Sequence, residues 1–187
     1  SCLEHQIKKI VLIGPESSGK TTLCELLAAH YQTLCVKEYA REYLQNNGKE
    51  YSFSDIKKIG QRQLEYEERG ISELMKTALI QKKSQPLFID TDFHVLKIWS
   101  EIVFNQCDNW LLNTISSRKY DLYLLCEPDI PWVADEFRES PDLDTRLKIF
   151  QHYKEIMINQ QVTWSIINGD YESRLLQARK AVDLLLQ

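Results

Sequence analysis

Residues 14–21 read Gly-Pro-Glu-Ser-Ser-Gly-Lys-Thr, which matches G-x-x-x-x-G-K-[ST], the loop whose backbone N–H groups cradle nucleotide phosphates. Such a loop works only between a buried strand and the N-terminus of a helix, and both flanks are present. Upstream, Ile7-Lys-Lys-Ile-Val-Leu-Ile13 is a β-branched apolar run suited to the centre of a parallel sheet. Downstream, Leu23, Leu26, Leu27 and Tyr31 recur at helical spacing, so a helix is expected from about Gly19. In that setting Gly14, Pro15, Glu16, Ser17, Ser18, Gly19, Lys20, Thr21 and Thr22 form an ATP-binding segment at the positive end of a helix dipole. Lys20 would reach the β- and γ-phosphates, and the Thr21 hydroxyl would ligate Mg²⁺.

Length and composition frame this reading. At 187 residues the chain suits one α/β domain, residues 1–187, rather than two. Lys plus Arg total 23 against 27 for Asp plus Glu, a net charge of −4 that speaks against broad nucleic-acid binding and leaves room for a local anion site. Cys2, Cys24, Cys35, Cys107 and Cys126 are odd in number and form no C-x-x-C pair. Neither a disulfide framework nor a zinc knuckle is expected; they read as reduced cytosolic thiols, several of them in the core. No apolar run approaches the roughly 20 residues of a membrane span and no signal-peptide pattern opens the chain, so a cytoplasmic protein with no membrane partner is expected. A first residue that is Ser rather than Met fits a processed end, an expression scar or a piece of a longer protein.

Apolar runs of strand length alternate with helical patterns, the order of a three-layer sheet covered on both faces. Five strands are expected at about residues 7–13, 33–37, 86–90, 121–126 and 162–167. Between the second and third, a helical region over about 54–83 carries an imperfect stripe of Ile56, Ile59, Leu64, Ile71, Leu74, Met75 and Leu79, and Gly60 and Gly70 are places where it would bend or split. Val95, Ile98, Trp99, Ile102 and Val103 fit the 3.6-residue period and are expected as the inner face of the next helix. Leu143, Leu147, Phe150, Ile156 and Met157 are read the same way, as are Leu175, Leu176, Val182 and Leu185.

Three further groups lie where parallel strands end, the rim at which α/β sheets bind ligands. Pro86-Leu-Phe-Ile-Asp90-Thr-Asp92 places Asp90 to hold Mg²⁺, with Asp92 either facing substrate or capping the next helix. Glu38, just past the second strand, suits a catalytic base that orients an acceptor hydroxyl and takes its proton. Arg41 could hold a phosphate or substrate oxygen, although a Glu and Arg so spaced also describe a solvated helix pair. After the fourth strand, residues 127–146 read as a loop or short helical excursion, a lid over about 128–146. In it Arg138 and Arg146 could neutralise charge on a transferred phosphoryl group, or else pair with Asp142 and Asp144 at the surface.

Taken in order, residues 14–23 (GPESSGKTTL), 38–44 (EYAREYL), 88–93 (FIDTDF) and 128–138 (PDIPWVADEFR), with Asn168-Gly-Asp170 before the last helix, resemble the NadR-type ribosylnicotinamide kinases, P-loop proteins of the AAA_28 class. The resemblance covers nearly the whole chain. It implies a nucleoside-kinase-like α/β/α fold with a five-stranded parallel sheet in the order 2-3-1-4-5. It implies Mg-ATP as phosphoryl donor and nicotinamide riboside, a small nucleoside, as acceptor through its 5′-hydroxyl, giving nicotinamide mononucleotide for NAD biosynthesis. By the same resemblance Lys20, Glu38, Asp90 and Arg138 are catalytic, and Thr21 and Asp90 hold the metal. Glu38, Tyr39, Arg41, Asp92, Trp132 and Asp135 meet substrate, Trp132 to Arg138 form the lid, and Arg138, Asn168 and Gly169 contact ATP.

A pyridinium acceptor calls for aromatic faces and negative charge, for which Tyr39, Tyr43, Tyr66, Trp99 and Trp132, with Asp92 or Asp135, are candidates, Gln61 or Arg62 adding polar contacts. Trp99 fits the core equally well. Lys37 stands where some relatives place an aromatic, and a cation there would oppose a pyridinium unless it points away. The adenylyltransferase signature H-x-G-H, carried by larger family members, is absent, so no adenylyl transfer is expected. The readings left open are a kinase of another nucleoside and a regulatory nucleotide-binding switch with no small acceptor.

Overall fold

The computed structural model describes residues 6–130 and 142–187. A parallel sheet of five strands, β1 (Ile7–Ile13), β2 (Cys35–Val36), β3 (Gln85–Asp90), β4 (Leu122–Cys126) and β5 (Trp164–Ile167), runs in the order β2-β3-β1-β4-β5. The expected order and all five strands are present, and β1 has the expected bounds. Only β2 is much shorter than expected, because its ladder to β3 is limited to Cys35 against Phe88 and Val36 against Ile89. Among the described residues seven helices cover the sheet: α1 (Lys20–Tyr31), α2 (Tyr39–Asn47), α3 (Phe53–Gln81), α4 (Phe93–Phe104), α5 (Asn109–Ser117), α6 (Leu143–Asn159) and α7 (Tyr171–Leu186). The short α5 has no counterpart in the sequence reading.

Why the central strands are apolar throughout follows from the two-residue period of a strand between two helical layers. Ile10 and Leu12 of β1, Phe88 of β3 and Leu122 and Leu124 of β4 pack with Leu23 and Leu27 of α1 and Ala178 and Val182 of α7. The alternate residues, Val11 and Ile13, Leu87 and Ile89, Tyr123 and Leu125, pack with Leu74 and Ala78 of α3, Ile98 of α4 and Phe150, Tyr153 and Met157 of α6. A third cluster, built on Ala40, Ile56, Ile59, Phe93, Leu96 and Leu111, joins α2, α3, α4 and α5 beside the site. Each large aliphatic group so buried contributes about 1.5–3 kcal/mol.

Helix α3 runs unbroken through its glycines. Its buried residues are Ile56, Ile59, Gly60, Gln63, Glu67, Gly70, Leu74 and Ala78, a regular stripe that looks imperfect in sequence because two glycines and two polar residues complete it. A Cβ at Gly60 would stand 2.8 Å from the Trp110 ring, and one at Gly70 3.1 Å from Val36. Both glycines therefore let the helix approach its neighbours closely. Elsewhere the expected faces hold in part: Phe150, Met157 and Val182 are buried as expected, Leu143, Leu147 and Leu176 are exposed, and α6 also buries Arg146 and Tyr153. In α4 the buried residues are Phe93, Leu96, Ile98 and Ser100, while Ile102 and Val103 are exposed.

Candidate active site

The turn from β1 into α1 forms the floor of a cavity of about 300 Å³. Its backbone is dictated by close approach: a Cβ on Gly14 would lie 2.6 Å from the Cys126 carbonyl oxygen at the end of β4. Gly19 starts α1 in the left-handed region, φ 75°, and a Cβ there would meet the Ile130 side chain at 2.6 Å. Only glycine satisfies both positions without displacing the loop. All nine residues Gly14 to Thr22 line the cavity, as expected from the motif. Lys20 Nζ donates to the carbonyl oxygens of Gly14 (3.1 Å) and Pro15 (3.5 Å), which holds the ammonium over the loop.

At the end of β3, Thr21 Oγ1 donates to Asp90 Oδ2 at 2.7 Å. Burial raises the Asp90 carboxyl above its ordinary range, against the opposing influence of Lys20 and of hydrogen bonds from Thr21 and Thr91. The hydroxyl and carboxylate fit Mg²⁺, a hard cation held by one or two protein oxygens together with substrate phosphates. Among the described residues no three His, Cys, Asp or Glu side chains gather into an all-protein metal cage.

Glu38, the residue before α2, lines the same cavity. Part of its surface is open to that cavity, yet desolvation by the surrounding protein pushes its carboxyl up to about 7; Lys20 opposes the rise and Asp90 reinforces it. A carboxylate titrating there is matched to general-base work near neutral pH. Arg41, one turn into α2, also lines the cavity, and Lys37 is exposed and does not.

Beyond Glu38 the wall turns apolar. Ala40 and Leu44 of α2 face Val95, Ile98, Trp99, Ile102 and Val103 of α4. The stripe read as the inner face of α4 is the wall of this compartment, because a cavity wall and a core face share one helical period. Trp99 is fixed there by an indole hydrogen bond to Tyr51 Oη (2.6 Å) and an edge contact with the Tyr51 ring.

Helix α6 closes the opposite side with Arg146, Ile149 and Tyr153. Arg146 is 4% exposed, and its Nε and Nη1 meet no hydrogen-bond partner among the described residues. The pairing with Asp142 anticipated as an alternative does not form: Asp142 caps α6 and accepts from Thr145 and from the Asp144 backbone.

Not every expected residue comes to the cavity. Asp92 takes the capping role, accepting from His94 N (3.0 Å), while its other oxygen accepts from Tyr123 Oη (3.0 Å) and meets His94 Nδ1 (2.8 Å). It is 1% exposed and does not line the cavity. Nor does Tyr39, whose ring packs edge-on against Tyr43 and Tyr66. The backbone groups of Asn168 and Gly169 bond Gln177, Asp129 and Arg174, and it is Tyr171, two residues on, that lines the nucleotide end beside Gly19. Trp132, Asp135 and Arg138 lie outside the described residues.

Arg174 of α7, which nothing in the sequence marked, organises this end. It is fully buried and donates to the carbonyl oxygens of Gly169 (2.7 Å), Ser18 (2.6 Å) and Glu127 (2.8 Å), and to Asp129 Oδ1. One guanidinium thereby ties the phosphate loop to the loops after β4 and β5.

Residues 9–174 match the AAA domain family AAA_28. The chain belongs to that family. The AAA_28 chain is 27% identical, over 94% of its length, to the trifunctional NAD biosynthesis/regulator protein NadR of Escherichia coli strain K12, of which it spans 42%. Among solved structures it is similar to a NadR protein in complex with NR, with a TM-score of 0.78 and 21% identity over 98% of this chain and 53% of that one. A deoxyadenosine kinase from M. mycoides with bound dATP gives a TM-score of 0.53 at 14% identity, over 94% of this chain and 99% of that one. The chain has the P-loop kinase fold of these structures.

Proposed function

We propose that this AAA_28 chain is an ATP-dependent phosphotransferase whose acceptor is the 5′-hydroxyl of a nucleoside, nicotinamide riboside foremost, giving nicotinamide mononucleotide. The observation that carries this reading is the position of Glu38, at the seam between the phosphate loop and the apolar compartment under α4, in one continuous cavity. A nucleotide switch needs the loop alone; a kinase needs a second compartment with a base at the junction.

In this reading backbone N–H groups of residues 16–20 and the Lys20 ammonium hold the β- and γ-phosphates, and Tyr171 flanks the nucleotide beside Gly19. Thr21 and Asp90 hold Mg²⁺, which when bound offsets phosphate charge. Glu38 accepts the proton of the acceptor hydroxyl as the hydroxyl oxygen attacks the γ-phosphorus, the bond to the β,γ-bridging oxygen breaks and ADP leaves, and the Arg146 donors stabilise charge on the transferred group. Arg41 orients the acceptor, and the Trp99 face with the aliphatic wall receives a flat, weakly polar ring. With Lys37 turned to solvent, its charge does not oppose a pyridinium there. The resemblance to NadR proteins supports this acceptor among nucleosides.

The test is mass-resolved detection of phosphorylated product from Mg-ATP with nicotinamide riboside beside a panel of ordinary nucleosides. Nicotinamide mononucleotide is the expected main product; ATP binding with no acceptor product from any nucleoside would overturn the reading. Lys20→Ala and Asp90→Ala are expected to abolish transfer, and Glu38→Gln to spare ATP binding while slowing chemistry by about 10²–10⁴-fold.

A further inference from the structure

The cysteines form no sequence pair, yet the fold brings two of them together. Cys24 Sγ, on the buried face of α1, and Cys35 Sγ, on β2, stand 2.7 Å apart as free thiols. A disulfide bond is about 2.05 Å long, so roughly 0.7 Å of approach separates contact from bond. We propose that Cys24 and Cys35 are a reversible thiol–disulfide couple, a modification site that peroxides oxidise.

Access sets the order of events. Cys35 is half-buried and is the sulfur an oxidant reaches; Cys24 is fully buried among Leu23, Leu27 and Phe88. Burial, with the neighbouring Cys35, also raises the Cys24 thiol well above its ordinary range, which keeps it from reacting first. The Cys35 thiolate attacks the peroxide: an S–O bond forms, the O–O bond breaks, and hydroxide leaves to take up a proton as water. Cys24 then gives up its proton and attacks the Cys35 sulfenic sulfur, forming S–S and breaking S–O, with a second water leaving. Two thiols lose two electrons and two protons, and one peroxide becomes two waters. A small dithiol restores the pair by exchange.

The location gives the bond a structural reach. β2 is an edge strand of the sheet and has two residues of ladder. Cys35 lies three residues before Glu38, and Cys24 three residues after Thr21. A bridge here fixes α1 against the start of the segment that carries Glu38.

The test treats the folded full chain with a small excess of hydrogen peroxide, blocks remaining thiols, and maps peptides without reduction. The expected result is a Cys24–Cys35 peptide pair that dithiothreitol dissolves, formed at least about tenfold faster than modification of the half-buried Cys107. Oxidation of Cys35 to sulfinic acid, or chain dimers through Cys35, without the internal pair would overturn the proposal. So would equal rates at Cys35 and Cys107. In Cys24→Ser, Cys35 is expected to accumulate as a sulfenic acid that dimedone traps; the wild-type map decides the matter even where that variant fails to fold. Neither outcome depends on the acceptor of the kinase reading.

Discussion

Two arginines sit equally deep in this molecule and differ in everything else. Arg174, fully buried, spends its donors on three backbone carbonyls and a carboxylate. Arg146, 4% exposed, leaves Nε and Nη1 without a partner among the described residues and stands in the cavity wall. Burying a cation costs several kcal/mol, which good hydrogen bonds return only in part. The satisfied arginine is therefore architecture. The idle one is a cost that folding alone does not recover, and an anion on the phosphate loop would recover it.

Substitution at each separates these accounts. Arg174→Ala should give the largest loss, about 3–5 kcal/mol in denaturant unfolding, because it strips the partner from Asp129 and three carbonyl oxygens. A midpoint unchanged from wild type would remove Arg174 from the architecture. Arg146→Ala should slow turnover about 10²-fold, close to 3 kcal/mol, with the unfolding midpoint unchanged or raised, since an unpaired buried cation is gone. If instead stability falls while turnover survives, the contrast between the two is broken.

The contrast extends to two acids that burial pushes up to about 7. Glu38 faces the cavity, with Lys20 opposing its rise; Glu67 lies inside α3, where Arg118 and Tyr120 Oη oppose it. Below about 7 a base at Glu38 is increasingly protonated, so turnover should fall about tenfold per pH unit, and Glu38→Gln should flatten that limb of the profile. Glu67 should be felt in stability instead. Its folded form holds the proton more tightly than its unfolded form, so its contribution is complete below about 4.5 and is lost as pH rises through about 7. Glu67→Gln should reduce that slope in unfolding measurements between pH 5 and 8 and leave the kinetic profile alone, the smallest effect of the four.

How much of this could be read without coordinates varies by element. The β1 strand, its glycine turn and Thr21 with Asp90 were legible because a phosphate loop constrains several positions at once, and the resemblance supplied the strand order. The wall of α4 was seen but misread: Ile102 and Val103 have the period of a core face, and only coordinates show that no core lies opposite. Asp92 fitted a rim carboxylate and a helix cap equally well, and its bonds to His94 and Tyr123 place it as the cap. Arg174 carried no signal, since its role depends on carbonyls supplied by residues 18, 127 and 169.

Arg174 also bears on the order in which the molecule matures. The phosphate loop is made well before its anchor, since the side chain that grips the Ser18 carbonyl stands 156 residues further along the chain. Until α7 is made and docked, the loop lacks its anchor. A nascent chain that still lacks α7 would then hold its phosphate loop less firmly than the folded one.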